Sequence, residues 1–385
     1  MNKLQQNLNE FKLNTKIVVA VIVTLALFLT SGFLMSLCFI AEGFSAIGML
    51  DGGSSGGASG GGGGGGISLG GGNSTVNKPP ITSNSQPGAK TGIVLPCATP
   101  AGNYLSSPDE NTKNISSDTE IKSGAAVLVD TTGNVVVASK NADTKIYPAS
   151  MTKVMTLLVA CENAKDPNAL LTVTQDMIDY KIQTGGSGGI QFEAGDQIAV
   201  EHALHLIIYD SDTIACLLIA NYVSENEAEF VKLMNKKASS LGLSKTNFVT
   251  CTGLHDNNHY TTAREMAAIM SCAMNNATAK KIMTAWQGYG FEINKADGSA
   301  KSALAWSDWY SGRLKDNNNV GGGGKIVAGK TGWETIPVYC FVTAAEKNGE
   351  IYVCVTVGRL SEDQPKISEA NSTSDHKYIY KNYAE

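Results

Sequence analysis

The chain has 385 residues, of which 41 are glycine, 17% are charged and 7% are aromatic. At about 100 to 200 residues per domain the length allows two domains, and 30 Lys+Arg against 35 Asp+Glu leave a formal charge of -5. No run of like charge is long enough to act as a nucleic-acid arm and no Gly-X-Y period is present, so neither a nucleic-acid partner nor a collagen-like chain is expected.

Residues 1–16 carry Lys3, Lys12 and Lys16 against Glu10 alone. The next 25 residues, 17–41, contain no charge. A helix of that length rises about 37 Å at about 1.5 Å per residue, enough to cross a hydrocarbon core of about 30 Å. A cleaved signal peptide has a shorter apolar region of about 7 to 15 residues, so the pattern predicts a retained single-pass anchor. The lysines before it and Glu42 and Asp51 after it place the N-terminus in the cytoplasm and the rest of the chain on the extracellular face. Leu37 before Cys38 is a poor context for lipid attachment.

Residues 42–120 read as a disordered tether. Fourteen of the 41 glycines fall between Asp51 and Gly72, and Pro79, Pro80, Pro87, Pro96, Pro100 and Pro108 follow. Such a composition buries too little surface to offset its ordering entropy. A flexible segment of about 75 residues has a root-mean-square reach of roughly 50 Å.

Residues 121–385 have the composition of one globular domain. Ala125 to Asp130 and Asn134 to Ala138 predict a β-hairpin around Thr131-Thr132-Gly133. Met151 to Cys161 is apolar on nearly every side and predicts a buried helix. Helical patterns continue at Val200 to Tyr209, Asp212 to Val223 and Glu227 to Leu241, and Thr262 with Glu265 reads as a capping box. At Ile351 to Val357 the period switches to two, after a turn at Lys347-Asn348-Gly349. Strands first and last with helices between predict an α/β (α+β) fold: an antiparallel sheet built from both ends, flanked by helices, with a helical subdomain.

Ser150-Met151-Thr152-Lys153 stands at the start of the buried helix. Residues three apart share a helix face, so the ammonium can reach the hydroxyl. A serine needs a base to become a nucleophile, and a lysine serves only when burial lowers its pKa. Ser374 to Lys377 has the same spacing near the chain end without a buried helix behind it, and reads as coincidence. Lys330-Thr331-Gly332 precedes the apolar stretch Val338 to Val342, whereas the same triplet at Lys90 lies in the tether. Lysine, hydroxyl and glycine on a strand can hold a carboxylate and let backbone approach. Between these motifs, Ser211-Asp212-Thr213 opens a helix; by itself it reads as an N-cap.

These residues resemble the serine-type D-alanyl-D-alanine carboxypeptidases among the low-molecular-mass penicillin-binding proteins, which share SxxK, SxN and KTG elements with class A β-lactamases. The resemblance extends to Ala126 to Asp130, Pro148 to Lys153, Thr252 to Asp256, His259 to Arg264 and the tail Asp375 to Tyr383. It implies a serine β-lactamase/transpeptidase-like fold and a substrate, the peptidoglycan stem peptide ending in D-Ala-D-Ala. It also implies covalent inhibition by β-lactams and no cofactor or metal. By resemblance Ser150 attacks, Lys153 takes its proton and Ser211 relays a proton to the leaving amine. Thr213, Lys330, Thr331, Gly332 and Trp333 would bind substrate, with the Ser150 and Trp333 N–H groups as oxyanion donors. Thr213 stands where the family usually has Asn, which leaves a catalytically weak penicillin-binding sensor as a rival reading, with a β-lactamase behind it.

His202, His205, His255 and His259 form no HExxH pattern and read as structural. The eight cysteines show no CxxC spacing, and the seven beyond the span are an odd number, so at least one is free or pairs between chains. Asn317 to Gly324 reads as a flexible rim.

Overall fold

The computed structural model describes residues 92–285, 288–307, 314, 318–334 and 338–385. The expected membrane span at 17–41 and the glycine-rich stretch up to residue 91 lie outside them; among the described residues no helix is long and apolar enough to cross a membrane.

In chain order the elements are β1 (Ser107–Asn114), β2 (Ala125–Asp130), β3 (Val135–Lys140), a 3-10 turn (Ala149–Thr152) and α1 (Lys153–Asn163). Then follow β4 (Leu170–Thr172), α2 (Gln175–Thr184), β5 (Gln197–Ala199), α3 (Val200–Tyr209), α4 (Thr213–Ser224) and α5 (Glu227–Ser240). The remainder comprises α6 (Ala263–Asn275), α7 (Ala277–Thr284), β6 (Tyr289–Asn294), β7 (Ala300–Ala305), β8 (Asn319–Gly321), β9 (Gly324–Glu334), β10 (Val338–Lys347), β11 (Glu350–Val357) and α8 (Glu369–Tyr383).

Seven strands form one sheet in the order β1-β3-β2-β11-β10-β9-β8. The early strand β2 lies antiparallel to the late strand β11, with Leu128 opposite Cys354 and Val127 opposite Val355. The sheet is therefore closed by both ends of the domain. The period-two pattern of β11 explains why both its faces are covered: Val353, Val355 and Val357 join the core of α1 and α6, while Tyr352 and Cys354 join a second cluster with Ile379 and Tyr380 of α8. Each fully buried valine contributes about 1.5 to 3 kcal/mol. His376 fastens α8 to the sheet, its two ring nitrogens each 2.8 Å from a threonine hydroxyl, Thr343 on β10 and Thr356 on β11. The SxxK look-alike at 374–377 is thus part of this packing: its Asp375 accepts from the N–H groups of Lys122 and Ser123.

Three expectations need correction. The disordered reading of 42–120 runs too far, because residues 92–120 pack on the domain. Ile93 and Ile115 are buried, the Cys97 N–H donates to the Cys161 carbonyl at 2.7 Å, and Asn276 and Thr278 donate to the Cys97 and Val94 carbonyls. β1 runs parallel to β3 at the sheet edge; its sequence SPDENTKN is exposed at all but one position and carries no apolar alternation to announce it. The rim expected at 317–324 is in its described part the β8–β9 hairpin. Thr262 does cap α6 by accepting from the Glu265 N–H, but the Glu265 carboxylate turns away to the Lys245 N–H and the Thr246 hydroxyl, so the box is not reciprocal. A second sheet, β4-β5-β6-β7, was not anticipated.

Candidate active site

The turn that presents Ser150 is conformationally unusual. Ala149, just before it, has φ +48°, a left-handed value that costs a non-glycine residue of order 1 kcal/mol or more and persists only where its surroundings impose it. Two glycines leave the room it needs here. A Cβ on Gly253 would stand 2.1 Å from the Ala149 carbonyl oxygen, and one on Gly332 would stand 2.9 Å from the Pro148 oxygen and 3.1 Å from the Ala149 Cβ. Gly332 was expected to make room for substrate; the space is taken instead by the nucleophile turn and by the Cys340 sulfur.

Lys153 begins α1 and is 1% exposed. Its Nζ lies 3.1 Å from Ser150 Oγ, 2.6 Å from the Thr252 carbonyl oxygen and 3.4 Å from Ser187 Oγ. Burial pushes the ammonium below its ordinary pKa, while Cys216, Cys251 and Asp212 act in the opposite sense. Behind the turn, His259 accepts the Val249 N–H at Nδ1, 3.0 Å, which leaves its proton on Nε2 to donate to Thr152 Oγ1 at 2.8 Å. Burial holds this imidazole near a pKa of about 4.

Ser211 also has a positive φ, +52°. Asp212, fully buried, is the N-cap of α4 through the Ala215 N–H at 2.7 Å. It pairs with Lys181 at 3.2 Å. Burial nonetheless outweighs that pairing and pushes the Asp212 pKa up to about 6. The hydroxyls of Ser211 and Thr213 are buried and without a hydrogen-bond partner among the described residues. Over this turn lies the loop 185–189. A Cβ on Gly186 would meet Thr213 Oγ1 at 2.7 Å, and one on Gly188 would meet Asp212 Oδ2 at 1.9 Å. The Thr213 N–H donates to the Ser187 carbonyl at 3.0 Å, and Lys181 donates to the Gly188 carbonyl at 2.8 Å.

On the other side of the turn, β9 pairs with β10 so that Lys330, Thr331, Gly332 and Trp333 face Val342, Phe341, Cys340 and Tyr339. β8 covers the opposite edge of β9 at Gly324 and Lys325, and Asn318 continues it to Ile326; no other described strand pairs with that edge. Lys330 is buried and donates to the Thr331 carbonyl at 2.9 Å. Trp333 is 64% exposed. Glu334 lies 3.8 Å from His255 Nδ1.

A cavity of about 190 Å³ unites Ser150, Lys153, Ser187, Thr213, Trp333 and Glu334. Ser211, Lys330, Thr331 and Gly332 adjoin it without lining it. A larger depression lies between Lys122, Lys140 and Gln364, and the Ser123 hydroxyl at its wall donates to the Asp375 carboxylate at 2.5 Å. Ser187 and Glu334 escaped the sequence reading, and Thr252 entered it only as part of the resembling stretch Thr252 to Asp256, with no role at the site; a signal for Ser187 existed in the glycine run 185–189, a second cluster inside the folded domain. The histidines take other duties: His202 meets the Tyr289 hydroxyl at 2.7 Å, and His205 stacks on the Tyr289 ring at 3.9 Å. All seven described cysteines are free thiols, six of them buried.

The family model for D-alanyl-D-alanine carboxypeptidase matches residues 111–360. The D-alanyl-D-alanine carboxypeptidase DacF of Bacillus subtilis is 27% identical over 259 residues, covering 67% of this chain and 62% of that protein. DacC of Escherichia coli is 30% identical over 213 residues, covering 54% of this chain and 53% of that protein. The chain thus spans just over half the length of these relatives. Among solved structures, the DD-transpeptidase of Streptomyces superposes with a TM-score of 0.60 at 22% identity, covering 69% of this chain and 98% of that one.

Proposed function

The chain belongs to the D-alanyl-D-alanine carboxypeptidase family, and on that premise we propose that it is a serine D,D-carboxypeptidase that trims peptidoglycan stem pentapeptides. The observation that carries this reading is the buried Lys153 ammonium 3.1 Å from Ser150 Oγ. A buried amine is driven toward its neutral form, the form that can accept the serine proton.

Ser150 Oγ attacks the carbonyl carbon between the last two D-alanines as its proton passes to Lys153 Nζ. The N–H groups of Ser150 and Trp333 receive the oxyanion, a contribution whose loss costs on the order of 10² to 10³ in rate. The C–N bond breaks, the leaving amine takes the proton that Lys153 had accepted, relayed through the Ser211 hydroxyl, and D-alanine departs. Water then attacks the ester, giving one proton to the again neutral Lys153, which passes it to the departing Ser150 oxygen and so restores the hydroxyl. Lys330 and Thr331 hold the terminal carboxylate, a charge-assisted contact. A β-lactam enters the first half of this sequence and acylates Ser150. Residues 17–41 hold the chain in a bacterial cell membrane as a single pass, with the domain on the extracellular face.

The full chain in detergent, given a stem pentapeptide, should release free D-alanine, and Ser150→Ala should abolish release. Absence of release under conditions where an established carboxypeptidase works would overturn the reading. Protease added outside intact cells should remove the domain if the anchoring is right.

A second reading has its own observation. Thr213 places no amide at its position, and its hydroxyl is buried beneath Gly186. A penicillin-binding protein with slow turnover fits that chemistry, and it would take up a fluorescent penicillin stoichiometrically while releasing little D-alanine.

A further inference from the structure

Ser187 is not part of any motif read from the sequence, yet its hydroxyl occupies a determining place. Among the described residues Lys153 Nζ has three hydrogen-bond partners besides its own Cε: the oxygens of Ser150, Thr252 and Ser187. As an ammonium it can donate to all three oxygens. As a neutral amine it keeps two N–H groups and one lone pair, so one of the three oxygens must face the lone pair.

The choice is fixed by what each oxygen can give. The Thr252 carbonyl has no proton and can only accept, at 2.6 Å. The Ser187 hydroxyl has one proton, and it goes to the Ser211 carbonyl, 2.5 Å away, not to Lys153 at 3.4 Å. Towards Lys153, Ser187 is therefore an acceptor too. Only Ser150 has a proton to offer the lone pair.

We infer that Ser187 is a positioning residue for the proton transfer: by spending its own proton on the Ser211 carbonyl it holds one Lys153 N–H and turns the amine lone pair onto Ser150. This rests on the reading of Ser150 and Lys153 as nucleophile and base. The proton ledger closes: the Ser150 proton moves to Nζ, the ammonium regains its third donor, and Ser187 neither gains nor loses a proton. The same hydroxyl ties the Ser211 turn to the base. A shift of loop 185–189 away from Ser211 would free the Ser187 proton to cap the lone pair and silence the amine.

The test is the second-order rate of acylation of the full chain by a fluorescent penicillin, measured across pH for the native protein, Ser187→Ala and Ser187→Thr. Asp212, Cys216, Cys251 and His259 also act on or near Lys153 and are the same in all three proteins. In Ser187→Ala the plateau rate should fall on the order of tenfold through misdirection of the lone pair. The rising limb should move to lower pH, because the ammonium has lost an acceptor that stabilised its charged form. Threonine, which keeps the hydroxyl, should restore both. Should the alanine variant fail to fold, Ser187→Gly, matching its flanking glycines, removes the same hydroxyl.

An unchanged rate and limb in the variant overturn the inference. So does a lower plateau with an unmoved limb, which is what loss of loop packing alone would give, and so does a folded threonine variant that behaves like alanine. A native protein that takes up no penicillin overturns the parent reading instead, and is distinguishable because it fails before any variant is compared.

Discussion

Gly332 on β9 and Ala149 in the nucleophile turn are so close that a single added methyl at residue 332 would sit 3.1 Å from the Ala149 Cβ and 2.6 Å from the Cys340 sulfur. The KTG strand therefore packs directly against the turn in which Ala149 takes its positive φ.

Gly332→Ala should accordingly damage the nucleophile before it damages binding. Overpacking of this kind costs about 1 to 3 kcal/mol, and displacement of Ser150 should lower penicillin acylation by about tenfold or more. Thermal unfolding and acylation rate, measured on one preparation, check both. A variant with native acylation and weaker substrate affinity would instead restore the role first assigned to this glycine.

Lys153→Met keeps the buried volume and removes the base. Acylation should drop by on the order of 10² to 10⁴, with the far-ultraviolet circular dichroism spectrum unchanged. Lys153→Arg should be equally inactive, since a guanidinium does not deprotonate in proteins.

Acid should unfold the domain earlier than its net charge suggests. Burial holds His205 and His259 at a pKa of about 4 and His376 at about 3, below the ordinary 6.5. A base whose folded pKa is depressed stabilises the fold above its unfolded pKa and loses that stability as pH falls from about 6.5 toward the folded value. Each group is worth on the order of 3 kcal/mol over that range. Asp212, raised to about 6, works the other way between pH 6 and its ordinary carboxylate range, and offsets about one histidine. The unfolding midpoint should fall steadily between pH 6.5 and 4, and His376→Gln should flatten the slope; a flat profile in the native protein would contradict the burial argument.

Trp333 stands 64% exposed at the end of β9 beside the cavity. Trp333→Ala should leave the unfolding free energy within about 0.5 kcal/mol, as exposed substitutions usually do. It should raise the KM for a stem peptide severalfold while leaving kcat near native. Steady-state kinetics would separate this from a change in the chemical step.

The sequence made the nucleophile helix and the central sheet legible because both carry strong periodic signals. Met151 to Cys161 has no polar side able to face water, and β11 alternates strictly, so burial was the only reading open to either. β1 was illegible for the converse reason: a strand exposed on both faces at a sheet edge needs no apolar alternation, and SPDENTKN offers none. β4 and β5 are three residues long, shorter than any period can register. Ser187 was missed because its role is defined by Thr252 and Ser211, 65 and 24 positions away, and by which oxygen has a proton to give. Thr213 stands out in the sequence as a departure from the resembled pattern, but that its hydroxyl lies under Gly186 without a hydrogen-bond partner among the described residues is a matter of packing.

The tie between the Cys97 N–H and the Cys161 carbonyl sits near the far end of α1, eight residues or about 12 Å along the axis from Lys153. Together with the Asn276 and Thr278 bonds to the Cys97 and Val94 carbonyls it fastens residues 94–97 at the end of the helix remote from Ser150. The turn that aims the serine and the anchorage of residues 94–97 thus occupy opposite ends of one buried helix.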